Sequence, residues 1–192
     1  MTAHHDTTSE QAFGFWLFLM GDVVIFALLF ATYAVMAPAT DGGPAAGAAL
    51  FSLGKTATYT GLLLTSSLTF GFATLSFRDN DTGRFVLWTG LSFALGLAFL
   101  LIEFDEFRAL IGDEAGPGRS GFLSAYFTLV GTHGLHVAIG LLWMAVVTCR
   151  SLVSPADPHL AANVERLAMF WHLVGLVWVA IYSIVYLPAL VP

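Results

Sequence analysis

The sequence predicts an all-α integral membrane protein, a bundle of five transmembrane helices, on three observations. Of 192 residues, 57% are hydrophobic and only 10% charged, against about 25% charged in an average soluble domain. Mean hydropathy is +0.80. Five apolar tracts come close to or exceed the roughly 20 residues needed to cross a hydrocarbon core about 30 Å thick. Tracts of this length without period-2 alternation satisfy their backbone hydrogen bonds as helices rather than as barrel strands.

The first tract runs from Phe13 to Met36 and holds the one Asp, Glu, Lys or Arg found in any tract, Asp22. The preceding MTAHHDTTSEQA has no Lys or Arg, and the tract is too long for the core of a cleaved signal peptide, so it is expected to be a retained span. The second covers Thr56 to Phe77, the third Phe85 to Ile102, the fourth Gly121 to Cys149 and the fifth Leu167 to Val191. Six of the seven prolines lie between tracts or at the last residue, and Pro188 sits in the final turn of the fifth, where a lost backbone bond costs least. The connections are too short for a further domain, so residues 1–192 are expected to form one membrane unit. Arg78, Arg84, Arg150 and Arg166 fall on the side of the N-terminus and Lys55, Arg108 and Arg119 on the other, which predicts a cytoplasmic N-terminus.

Several function classes are disfavoured. The net charge is −6 and the seven basic residues are isolated from one another, so no basic patch tracks a nucleic-acid backbone. Cys149 is the only cysteine and offers neither an intramolecular disulfide nor a thiolate pair for a metal. No phosphate loop, nucleophile elbow, HExxH or kinase signature occurs, and neither an internal repeat nor a Gly-Pro break points to a transporter.

What remains is a set of polar groups at membrane depth. Asp22 lies near the middle of its span, where an ionised carboxylate costs about 2.5 to 3.5 kcal/mol, so it is expected to face protein. Tyr33 falls within about 20° of the same helical face. Asp22 is either a proton-relay carboxylate or a hydrogen-bonded structural one. In the fourth span Thr128, Thr132, His136 and Gly140 step by four, with His133 beside them, a small and polar face suited to helix packing. The fifth repeats the device with His172, Gly175, Val179, Tyr182 and Tyr186. Three intramembrane histidines are too few for a diheme cytochrome, while one bis-histidine haem using His172 with His133 or His136 fits the count. Interhelical hydrogen bonding is the alternative. After the third span, IEFDEF sets Glu103 and Glu106 on one face. Asp105 is expected at a solvated helix end within reach of Arg108, and Glu106 either there or in a polar lining. Gly90, Ala94 and Ala98 suggest a close-approach stripe, and Ser66, Ser67 and Thr69 suggest interhelical bonds. Trp16, Trp88 and Trp171 suggest interface anchors.

The stretches FGFWLFLMGDVVIFALLFATYAV, GFLSAYFTLVGTHGLHVAIGLLWM and FWHLVGLVWVAIYSIVYL, with TSSLTFG and EFDEF between them, resemble subunit III of haem-copper oxidases. GTHGLHV is the most specific of these, and the resemblance covers essentially the whole chain. The five-span length and GPGRSGFLSA resemble the cytochrome bo-type ubiquinol oxidase branch. Subunit III of a cytochrome c oxidase, or a haem-carrying b-type membrane anchor, are the alternatives.

The resemblance implies an accessory chain without a redox centre. It would pack with subunits I, II and IV of a complex that oxidises ubiquinol and reduces oxygen to water in a bacterial inner membrane. Haem and copper would sit in the catalytic subunit, and phospholipid would be held in a cleft of this chain. It also implies that Asp22 stands where many relatives have a buried Glu and that Glu106 is the family's acidic residue after the third span. His133, His136, Trp171 and His172 are then the cleft and helix-contact positions. Gly175 stands where many relatives have Asp in a WHxxDxxW pattern, which would remove a polar partner of the fourth span. Tyr59 and Thr60 replace the usual Glu-Thr or Asn-Thr.

Overall fold

The computed structural model describes residues 3–41, 53–154 and 159–190, and every regular element among them is helical. Helices α1 (Ala3–Met36), α2 (Leu53–Arg78), α3 (Thr82–Gly112), α4 (Gly121–Val153) and α5 (Leu160–Ile181) follow in order. A π-helical turn, Tyr182–Tyr186, and a last helical turn, Leu187–Leu190, extend α5. Five helices are long and apolar enough to cross a membrane. The side chains of His4 and His5, and the expected end of the fifth span at Val191, lie outside what is described.

Two helices are longer than the apolar tracts suggest. α3 runs on to Gly112 instead of stopping at Ile102, because charged residues alone do not end a helix and nothing between Glu103 and Leu110 breaks one. Asp81 caps its start, accepting from the Arg84 N–H at 3.0 Å, and Glu114 just beyond its end takes φ 57°. α5 begins at Leu160 instead of Leu167. Leu160 and Val164 are buried there, and Glu165 pairs with Arg78 of α2 at 3.4 Å. Ser120 caps α4 through the Leu123 N–H at 3.2 Å, and the Phe122 N–H donates to the Ala39 carbonyl at 3.0 Å. That last bond ties the segment after α1 to the start of α4, at the opposite end from the Arg78–Glu165 pair.

α2 packs most extensively on α3, α3 on α4, α4 on α5, and α5 back on α2, closing a ring of four. α1 lies outside that ring against α4, with a marginal contact to α5. Its buried residues Leu19, Asp22, Phe26 and Tyr33 recur at three, four and seven, the spacing of a single helical stripe.

Trp171 of α5 occupies the centre of the ring and is 1% exposed. A Cβ on Gly140 would lie 2.7 Å from its six-membered ring, and a Cβ on Gly96 would lie 2.9 Å from it. Trp171 therefore fills the space that two glycines leave open, and it is a helix contact, not the interface anchor that its place near a span end suggests. Its indole N–H donates to Ser66 Oγ at 3.2 Å. Ser66 donates to the Ser92 carbonyl at 2.8 Å and Ser92 to the Ser66 carbonyl at 2.7 Å, so α2 and α3 are clasped reciprocally. The expected Gly90, Ala94 and Ala98 stripe faces away, with Gly90 and Ala94 exposed. The close approach on α3 lies instead along Ser92, Gly96 and Phe99.

The π turn has a local cause. Pro188 has no N–H for the carbonyl four residues back, and its ring crowds that carbonyl, so the ladder widens in the turn before it. The extra residue carries Val185 and Tyr186 into the core, where the Tyr186 and Tyr126 hydroxyls meet at 2.9 Å.

Gly140→Val should overpack the ring by about 1 to 3 kcal/mol and lower the melting temperature of the detergent-solubilised chain. Gly90→Ala, at an open surface position, should leave it unchanged; equal melting of both variants would contradict the packing described.

Candidate functional site

The α1–α4 contact brings together Asp22 and His136. Asp22 is 6% exposed, and its Oδ1 stands 3.6 Å from His136 Nε2. His136 Nδ1 lies 2.7 Å from the Thr132 carbonyl, which only accepts, so Nδ1 carries a hydrogen. Nε2 is thereby left to face the Asp22 carboxyl, the polar contact that joins α4 to α1. Oδ2 has no hydrogen-bond partner among the described residues. Phe26, at 5.0 Å from the His136 ring, packs beside the pair, and Tyr33, on the stripe shared with Asp22, is buried against Phe122 at 5.9 Å.

The three histidines point to three different helices. His133 is fully buried, donates through Nε2 to the Val174 carbonyl of α5 at 3.2 Å and stacks among Phe99 and Trp178, 5.7 and 5.2 Å away. Its Nδ1 has no partner among the described residues. His136 turns to α1. His172 is exposed on the outer side of α5, with Nδ1 2.6 Å from Ser67 Oγ of α2. No two of them face a common centre as axial haem ligands would, and among the described residues no three His, Cys, Asp or Glu side chains group to hold a metal ion. The His172 and Val179 face expected to pack inward is exposed, while Gly175 and Tyr186 are buried.

The acidic segment after Ile102 divides by helical face. Asp105 is exposed as expected, and Arg108 lies over the Phe104 ring at 5.8 Å instead of bridging the acids. Glu106 is half-buried and faces the Tyr59 hydroxyl of α2, with Lys55 nearby. Tyr59 thus sets a polar group against it at the position where the resemblance implied a departure. Glu103 is the residue that sequence reasoning passed over. It is 4% exposed, and its Oε1 lies 2.9 Å from where a Cβ of Gly134 would be. Neither carboxyl oxygen has a partner among the described residues. Its position one turn before Glu106, on α3's buried face, was the available signal, and the surrounding acids masked it.

Comparison with known proteins identifies the scaffold. A family model described as cytochrome c oxidase subunit III matches residues 1–189. The chain belongs to that family. It is 44% identical over 183 residues to cytochrome bo(3) ubiquinol oxidase subunit 3 of Pseudomonas aeruginosa, covering 95% of this chain and 87% of the relative. It is 41% identical over 178 residues to cytochrome c oxidase subunit 3 of Bacillus sp. PS3, covering 93% and 86%. It is 34% identical over 190 residues to quinol oxidase subunit 3 of Bacillus spizizenii, covering 99% and 93%. This chain is thus an accessory subunit of a bacterial membrane-bound haem-copper oxidase, with other oxidase subunits as partners.

Within subunit III the segment GTHGLHV now has a physical account. The Thr132 carbonyl fixes the His136 ring, His133 ties α4 to α5, and Gly134 leaves room for Glu103. At position 175 a Cβ would meet Ser67 of α2 at 3.6 to 3.7 Å, so this glycine lies against α2.

A double-mutant cycle of Asp22→Ala and His136→Ala should show a coupling of about 0.6 kcal/mol, rising to about 1.7 if the pair is fully desolvated. Strictly additive losses in melting free energy would mean that the two side chains do not interact.

Proposed function

We propose that this chain is subunit III of a proton-pumping cytochrome bo-type ubiquinol oxidase of a bacterial inner membrane, with its N-terminus in the cytoplasm. The 44% identity over 95% of the chain to cytochrome bo(3) ubiquinol oxidase subunit 3 carries this assignment. The complex would oxidise ubiquinol and reduce oxygen to water with haem and copper held in subunit I, while subunits II and IV complete the assembly. The divergent directions of His133, His136 and His172 support a chain that contributes no ligand to those centres.

In this role Trp171, His133 and His136 hold helices together. His172, exposed on the α2–α5 side, offers its outer nitrogen to a neighbouring subunit or lipid headgroup. Asp22, buried on α1, and Glu106, half-buried on α3, are the proton-route positions of this reading. A groove of about 260 Å³ between α1 and α4, lined by Leu29, Thr32, Met36, Ala125 and Thr128, suits a phospholipid acyl chain. Its threonine hydroxyls are turned back to the Leu28 and Ser124 carbonyls, which leaves apolar surface.

A second reading, subunit III of a cytochrome c oxidase, is favoured by the 41% identity to the Bacillus sp. PS3 subunit. Mass-spectrometric identification of the chains that co-purify in mild detergent separates the two. Recovery with a haem-bearing subunit and a subunit II lacking copper ligands is the expected result. A copper-binding subunit II would establish the second reading, and isolation of the chain alone with a Soret band would overturn both. Asp22→Asn should assemble normally and lose oxidase activity faster than wild type during sustained turnover, followed as oxygen consumption. Unchanged turnover stability would leave Asp22 a structural residue.

A further inference from the structure

Between α3 and α4 an apolar groove of about 320 Å³ runs along Leu100, Phe104, Phe107, Gly131 and Gly134, and the one ionisable side chain lining it is Glu103. Glu103 is 4% exposed, and neither of its oxygens has a hydrogen-bond partner among the described residues. A carboxyl so deeply buried is normally paired, so an unpaired one in a groove wall points to a ligand that supplies the missing bond. We propose that this groove binds a quinol, with Glu103 receiving the hydrogen bond of its ring hydroxyl, a site that rests on the quinol-oxidase reading above.

Shape and chemistry select the ligand. No Lys or Arg lines the groove to hold a phosphate, and Glu103 is its one ionisable group, so the fitting partner is an uncharged head that donates a hydrogen bond. The groove floor carries no side chain at Gly131 and Gly134, and its walls include the aromatic rings of Phe104 and Phe107, which offer aromatic contact to a flat ring. A volume of about 320 Å³ is near the lower end of small-ligand pockets, whereas a helix about 10 Å across would lie over the groove, not in it. The carboxyl now rests in the notch at Gly134. The absence of Cβ atoms at 131 and 134 leaves it free to swing toward the ring. Ionised or protonated, it accepts a hydrogen bond from a hydroxyl. No electron transfer is assigned to the site.

The test is photolabelling of the purified complex with a short-chain azido-ubiquinol, followed by peptide mapping. Label is expected on Leu100–Phe107 or Gly131–Gly134, competed by unlabelled short-chain ubiquinol and not by a saturated alcohol of equal length. Glu103→Leu should cut the label at least tenfold, and Glu103→Gln, whose amide oxygen still accepts, by no more than about threefold. Subunit content and haem spectrum verify assembly. Gly131→Leu, which fills the floor one turn from the Gly134 notch, at a position where a Cβ would meet Phe107, should also abolish the label and serves if Glu103→Leu does not assemble. The site is overturned by absence of label from this chain, by label insensitive to both leucine variants, by equal competition from the alcohol, or by crosslinking of the groove to another subunit's helix. If the chain does not co-purify with an oxidase, the functional reading fails, and the same labelling in native membranes still decides the site. If it co-purifies unlabelled, only the site fails.

Discussion

The seating of Trp171 between Gly96 and Gly140 is the contact on which the rest of the structure depends. Lipid tails are as apolar as leucine, so helices in a bilayer gain nothing from hiding greasy surface and associate through close packing and hydrogen bonds. Trp171 provides both at one point. Its ring lies against α3 and α4 where the two glycines have no side chain, and its N–H reaches the serine clasp between α2 and α3. Four helices are thereby referred to one side chain. The closed ring then offers α4 as a fixed surface for α1, which meets it through the polar contact of Asp22 with His136.

The polar groups inside the bundle fall into two kinds. Ser66, Ser92, Tyr126, Tyr186 and the indole nitrogens of Trp171 and Trp178 have partners within the chain and join helices to one another. Asp22 Oδ2, His133 Nδ1 and the Glu103 carboxyl do not among the described residues. A chain that performed redox chemistry would converge such groups on one centre. Here they are distributed over α1, α3 and α4, as befits an accessory subunit of an oxidase.

The five spans were legible because bilayer thickness imposes length and apolarity directly on sequence. The inward orientation of Asp22 and Tyr33 followed from helical period, and GTHGLHV carried the family. The end of α3 was not legible: a run of acids reads as the water boundary, although a helix continues through it and can bury one acid while exposing the next, as Glu103 and Asp105 do. Nor does a glycine show which neighbour it faces. Gly90 and Gly96 look alike in an apolar tract, and only the position of Trp171 on another helix distinguishes them. The histidines were visible as polar residues at depth, but their separate directions depend on which helix each face of α4 and α5 meets.

Electron cryo-microscopy of the intact complex from native membranes tests the central claim most directly. This account predicts the five helices on the flank of a haem-bearing subunit, with no haem or metal among them, Trp171 seated between Gly96 and Gly140, and His133, His136 and His172 on the partners described. Haem density coordinated by His172 together with His133 or His136 would contradict it.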